Sequence, residues 1–126
     1  MNQQEKNKET IKRFYEEVMI KGNVDVAAEV MTADYIQHNP TAVSGRNGLL
    51  EHVKELNTQY PERKIIFHHM IAEANFVTTH IQFILKPGEV TCAGMDLFRF
   101  EGDKLAEHWD VIQMIPEKSM NNNSMF

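Results

Sequence analysis

The sequence of 126 residues has a single cysteine, Cys92, so no disulfide can close within the chain. A chain that relies on no disulfide reads as one folded in a reducing compartment, here the cytoplasm. No apolar run approaches the roughly 18 residues needed to span a bilayer, and the opening MNQQEKNKET has no apolar core of a secretion signal. Basic excess is missing too. The 13 Lys and Arg are outnumbered by 18 Asp and Glu, for a net charge of −5, and the charges are interspersed. With no basic stripe for a phosphate backbone, nucleic acid is not an expected partner, and a membrane is not one either. Glycine patterns that cradle phosphates are absent. No HxxxH, HxH or CxxC spacing places two metal ligands locally, so although His38, His80, His108 and Asp96 are ligand types, no metal or other cofactor is expected. Neither Ser44 nor Cys92 has the surroundings of an activated nucleophile.

What is present is enough apolar residue, 42%, for one globular domain over residues 1–126. Ile11, Phe14, Tyr15, Val18 and Met19 recur at three- and four-residue steps, which predicts a helix over about 4–20 that ends at Lys21-Gly22. A short second helix starts near Asp25 and carries Val26, Ala27, Val30 and Met31. The segment TADYIQHNPTAVSGRNG reads as loop with a brief extended piece at 35–37, and a third helix follows over about 46–58. His52 on that helix is expected at the surface.

From residue 63 the period changes to two. The runs 63–74, 76–86, 89–101 and 104–115 are rich in Ile, Val, Phe and Thr, and short turn-like joints separate them. Short joints make antiparallel neighbours. The expected fold is therefore α+β, with helices covering one face of a twisted antiparallel sheet. The end of the chain, 116–126, is a polar tail, loosely held unless Phe126 docks.

The stretch EHWDVIQ, residues 107–113, sets His108 and Asp110 on one face of a strand. Phe98 and Phe100 need a core, and Asp96 shares their face. Whether His80, His108 and Asp110 line the same concave surface depends on register, which the turns leave open. Adjacent His68 and His69 point to opposite faces on simple alternation. Titratable groups among apolar walls are the usual anatomy of a small-molecule site. The last strand's other face, with Trp109 and Val111, is also partly apolar. A second copy of the chain is the simplest cover for that outer sheet face, so a homodimer is expected.

YIQHNP and MDLFRFEGDKLAEHWDV, in this order of elements, resemble the SnoaL-like polyketide cyclase family of the nuclear-transport-factor-2-like superfamily. The likeness runs over about residues 8–115. It implies a cone-shaped, curved antiparallel sheet closed by three N-terminal helices, usually dimeric, with the ligand in the cone. It also implies a cofactor-independent reaction, in which an acidic residue removes a proton next to a carbonyl of a small apolar substrate. Asp110 matches the base, with His38, His108 and Asp96 orienting or donating hydrogen bonds, and Asn39, His80, Tyr15 and Phe98 meeting the substrate. Asp96 and Tyr15 also resemble the enolate-binding pair of the ketosteroid isomerases. The base of those isomerases lies where this chain has Asn39, an amide that cannot take a proton. The same fold also serves non-catalytic small-molecule-binding modules, the alternative reading.

Overall fold

The structure is a computed structural model that describes residues 1–126. Its first helix, α1 (Gln3–Arg13), starts at a reciprocal cap: Asn2 Oδ1 accepts the Glu5 N–H at 2.9 Å while Glu5 Oε2 accepts the Asn2 N–H at 3.2 Å. The helix continues without a break as a π-helical segment, Phe14–Ile20. The wider turn still presents Phe14, Tyr15 and Val18 to the interior. Helix α2 (Val24–Val30) is capped by Asn23, whose side chain accepts the Val26 N–H at 3.2 Å, with Asp25 in its first turn.

The brief extended piece turns out to be a full strand. Met31, expected at the end of α2, instead opens β1 (Met31–Gln37), which runs parallel to the last strand and pairs Gln37 with His108. Helix α3 (Arg46–Gln59) then leads to β2 (Lys64–Glu73), β3 (Phe76–Lys86), β4 (Val90–Glu101) and β5 (Lys104–Met114). The four later strands form the expected antiparallel meander. With β1 added at its edge, the sheet is mixed and curved, in the order β1-β5-β4-β3-β2. No helix is long and apolar enough to cross a membrane.

Register decides what each face carries. Thr79 pairs with Asp96 and Val77 with Phe98, so odd residues of β3 share a face with even residues of β4. Between β4 and β5 even residues pair with even: Asp96 with Asp110 and Phe98 with His108. The inner face receives Ile11, Phe14 and Val18 from the first helix and Leu49 and Val53 from α3, packed on Val77, Phe98, Phe100 and Leu105. Phe98 is fully buried and meets Phe14 and Tyr15 edge to face, each with ring centres 5.8 Å apart. Arg63, also buried, ties the helix ends together: its Nη2 donates to Met19 O at 2.7 Å, Ile20 O at 3.0 Å and Asn57 Oδ1 at 2.7 Å. A cation at carbonyls left open by a helix end satisfies acceptors that would otherwise be buried alone.

Gly48, in the first turn of α3, has a steric task. A Cβ there would stand 2.2 Å from the Val43 carbonyl oxygen, so only glycine lets the loop after β1 lie against the helix. In an exposed helix interior Gly→Ala stabilises by about 1 kcal/mol. Gly48→Ala is expected to do the opposite and to cost about 1–3 kcal/mol, as overpacking does. Urea unfolding reads it, and a variant as stable as the wild type would show that the loop is free to move away.

Candidate active site

The inward residues of β4 and β5, the end of β1 and two helices enclose a cavity of about 100 Å³. Its walls are mostly apolar, and its polar groups converge from three strands. His108 lies at the centre, 7% exposed, with its ring stacked between Phe98 at 4.7 Å and Tyr35 at 6.4 Å. Both ring nitrogens meet oxygen: Nε2 is 2.6 Å from Asp96 Oδ1, and Nδ1 is 2.7 Å from Gln37 Oε1. Asp96 itself is only 5% exposed. The second carboxylate, Asp110, has Oδ2 3.8 Å from His108 Nε2, and its Oδ1 accepts a hydrogen bond from the Asn39 side-chain amide at 2.8 Å.

These surroundings set the charge states. Burial pushes the Asp110 carboxyl above its ordinary value of 3.8; His108 opposes that rise, the neighbouring Asp96 adds to it, and the Asn39 hydrogen bond opposes it. Tyr15 and Tyr35 are both pushed well above 10.0, first by burial and then by the Asp96 carboxylate, so both hydroxyls keep their protons. The Tyr15 hydroxyl is 3.4 Å from Thr79 Oγ1. Tyr35 Oη and Asp96 Oδ2 are buried without a partner. A buried polar atom left unpaired costs about 1–3 kcal/mol, so two of them beside one cavity mark a place adapted to something polar.

Asp96, His108 and Asp110 have ligand-type atoms within 4.8 Å of one another, a set of the kind that divalent metals use. The spacing, however, is that of a hydrogen-bonded cluster. His108 Nε2 and Asp96 Oδ1 lie at bonding distance from each other, and the Asn39 amide donates to Asp110. Such a cluster can hold a proton between its members.

Of the residues singled out from the sequence, Asp96, His108, Asp110, Asn39, Tyr15 and Phe98 come together at this cavity. Two do not. His38 turns to the outer face, because it follows the outward residues of β5: its Nε2 is 2.7 Å from Glu107 Oε2 and its ring stacks on Trp109 at 4.8 Å. His80 also lies outside, because the β3–β4 register sets it opposite Met95 rather than Asp96. There His80 Nδ1 is 3.0 Å from His69 Nδ1, and His80 Nε2 donates to the Met125 carbonyl at 2.8 Å. The register slips between Phe67 and His69, so His68 joins His69 in this outer group, its Nε2 3.0 Å from Gln82 Oε1, instead of pointing to the opposite face. The tail docks here, with Phe126 stacked on His68 at 4.8 Å.

Three cavity residues were missed. His52, expected at the surface, lines the cavity with Leu49 and Leu56. Its place three residues after Leu49 and four before Leu56 put it on the inner stripe, a legible signal. Tyr35 and Gln37 stand two apart on β1, but a strand paired only at a distant, parallel edge leaves little local trace.

Comparison with known proteins bears on the family and the fold. A family model described as the SnoaL-like domain matches residues 11–108. Among solved structures, a candidate polyketide cyclase from Acidithiobacillus ferrooxidans superposes with a TM-score of 0.74 at 19% identity, covering 89% of this chain and 91% of the other. A candidate SnoaL-like polyketide cyclase from Jannaschia gives 0.72 at 20% identity, covering 86% of each chain. A candidate ketosteroid isomerase from Kribbella flavida gives 0.74 at 13% identity, covering 94% of this chain and 85% of the other. At these identities the likeness is one of fold. No curated protein matches the chain.

Proposed function

Because the chain belongs to the SnoaL-like domain family, we propose that its cavity removes a proton next to a carbonyl of a small, mostly apolar compound, without a cofactor. The observation that carries this reading is the Asp110 carboxylate, its proton affinity raised by burial, at an apolar cavity beside a tyrosine hydroxyl that has no partner. A carboxylate that has lost its hydration is a better match to a weakly acidic carbon. Asp110 takes the proton, and the C–H electron pair moves through the α carbon onto the carbonyl oxygen. The Tyr35 hydroxyl, kept protonated, donates to the oxyanion that forms. The Asn39 amide holds the base in place. The enolate carbon then attacks a second carbonyl, whose oxygen takes the proton back from Asp110 in an aldol-type cyclisation, or a conjugated enolate takes that proton at a more distant carbon in an isomerisation. Neighbours named as polyketide cyclase and ketosteroid isomerase candidates support this class of chemistry. The alternative is a module of the same fold that binds such a compound without turnover.

The cavity bounds the substrate. At about 100 Å³ it is smaller than an engineered protein cavity of about 150 Å³ that admits benzene, so the enclosed part of the ligand is small. The lone buried thiol of Cys92 suits a reducing, cytoplasmic setting.

Exchange of α protons with deuterated buffer, followed by NMR over cyclic 1,3-diketones and enones, tests the reaction. Wild type is expected to accelerate exchange, and Asp110→Asn to lose about 100-fold or more while still binding the compound. Equal exchange in the variant would remove Asp110 as the base. Binding with no exchange in either protein would leave the non-catalytic module.

The outer sheet face has its own proposal. Ile71, Met95 and Val111 are 63%, 54% and 75% exposed there, an apolar surface of the kind that a second copy covers. Sedimentation velocity is expected to give a dimer for wild type and a monomer for Val111→Glu. A monomeric wild type would contradict pairing through this face.

A further inference from the structure

Gln37 stands behind the histidine rather than at the reacting end of the cavity. Its side-chain oxygen Oε1 accepts the backbone N–H of Asn39 at 3.0 Å, and the same oxygen is 2.7 Å from His108 Nδ1. The Asn39 N–H settles which end of the amide points this way, because turning the NH₂ group inward would face donor to donor. An amide oxygen carries lone pairs and no proton. His108 Nδ1 must therefore be the donor, and its proton is pinned there. In a neutral ring that leaves Nε2 bare, 2.6 Å from Asp96 Oδ1. An ionised carboxylate is bare as well, and two lone pairs do not meet at that distance. One proton lies between them.

We propose that Gln37 is a positioning residue that fixes His108 as the Nδ1–H form and thereby keeps one proton shared between His108 Nε2 and Asp96 Oδ1. Without this acceptor the ring's single proton could sit on Nε2 and bond to an ionised Asp96, leaving Nδ1 bare. The pair would then hold one proton fewer and carry a net negative charge. With Gln37 in place the pair is neutral overall, so Asp110, 3.8 Å from Nε2, does not face a second uncompensated carboxylate. The shared proton also decides what Asp96 can offer. Its remaining oxygen, Oδ2, has only lone pairs, so Asp96 does not serve as a neutral donor to an enolate. That task falls to the Tyr35 hydroxyl. This last consequence rests on the carbon-acid reaction proposed above; the tautomer does not.

The test needs no substrate. Ligand-free protein with ¹⁵N-labelled histidine is examined by two-bond ¹H–¹⁵N correlation at neutral pH, where protonated and bare ring nitrogens have widely separated shifts. Wild type is expected to show His108 Nδ1 at a protonated position. Gln37→Leu, with no acceptor, is expected to move Nδ1 to the bare position and Nε2 to the protonated one. Gln37→Glu restores an acceptor oxygen and is expected to restore the wild-type Nδ1 signal. A bare Nδ1 in wild type would overturn the proposal, as would a Gln37→Leu spectrum with Nδ1 still protonated. Should Gln37→Leu not fold, Gln37→Met provides the same loss of the amide acceptor and is expected to give the same exchange of protonated and bare nitrogens. Because no ligand is present, a missing carbon-acid activity leaves these outcomes unchanged, and a wrong tautomer leaves the exchange assay free to succeed.

Discussion

Two carboxylates stand directly opposite each other on neighbouring strands, and the rest of the site is arranged around that fact. Asp96 and Asp110 are cross-strand partners on the inner face of the sheet. Like charges in that position repel, more so where water is scarce. Three features relieve the strain. His108, two residues before Asp110, reaches Asp96 with Nε2; the Asn39 amide donates to Asp110; and burial raises the proton affinity of Asp110. A purely structural protein gains little from such a pair, since apolar residues of similar volume would pack there at lower cost. A site that moves protons needs groups whose charge is finely balanced.

The fold supplies that balance through register. One pairing puts Thr79, Asp96 and Asp110 in a row across three strands, and Val77, Phe98 and His108 in the next. The polar row therefore lies beside one that is apolar at Val77 and Phe98 and ends in His108. The first helix covers the apolar row with Phe14 and reaches the polar row with Tyr15, while β1 brings Tyr35 and Gln37 to the other end of the histidine. The site depends on both edges of this arrangement. The parallel pairing of β1 with β5 matters as much as the meander, because Gln37 sits directly beside His108 only in that register.

Much of this was legible. The helical stripe from Ile11 to Met19 and the change to period two at residue 63 gave the α+β architecture, since burial patterns of 3.6 and 2 residues are written locally. Asp96 with Phe98, and His108 with Asp110, were each placed on one face because neighbours two apart on a strand must share it. His80 shows the limit. Its face follows from how β3 is aligned with β4, a relation between distant residues that one slip reverses. The expectation that His68 and His69 point to opposite faces failed at a bulge, which breaks alternation at a single residue. The orientation of His38 follows from Trp109 and Glu107, which reach it only after β1 has joined the sheet.

The proposed chemistry requires Asp110 to be a desolvated carboxylate, able to ionise and to take a proton from carbon. A carbon-detected NMR titration of the Asp110 carboxyl in the ligand-free protein tests it most directly. The midpoint is expected above 3.8, the ordinary value for aspartic acid. With the folded value raised, this group's contribution to stability is fully present below the unfolded value and is lost as pH rises through the folded one. A midpoint at or below 3.8 would mean that hydrogen bonds to the charged form outweigh burial, and Asp110 would then be too weak a base for the chemistry proposed.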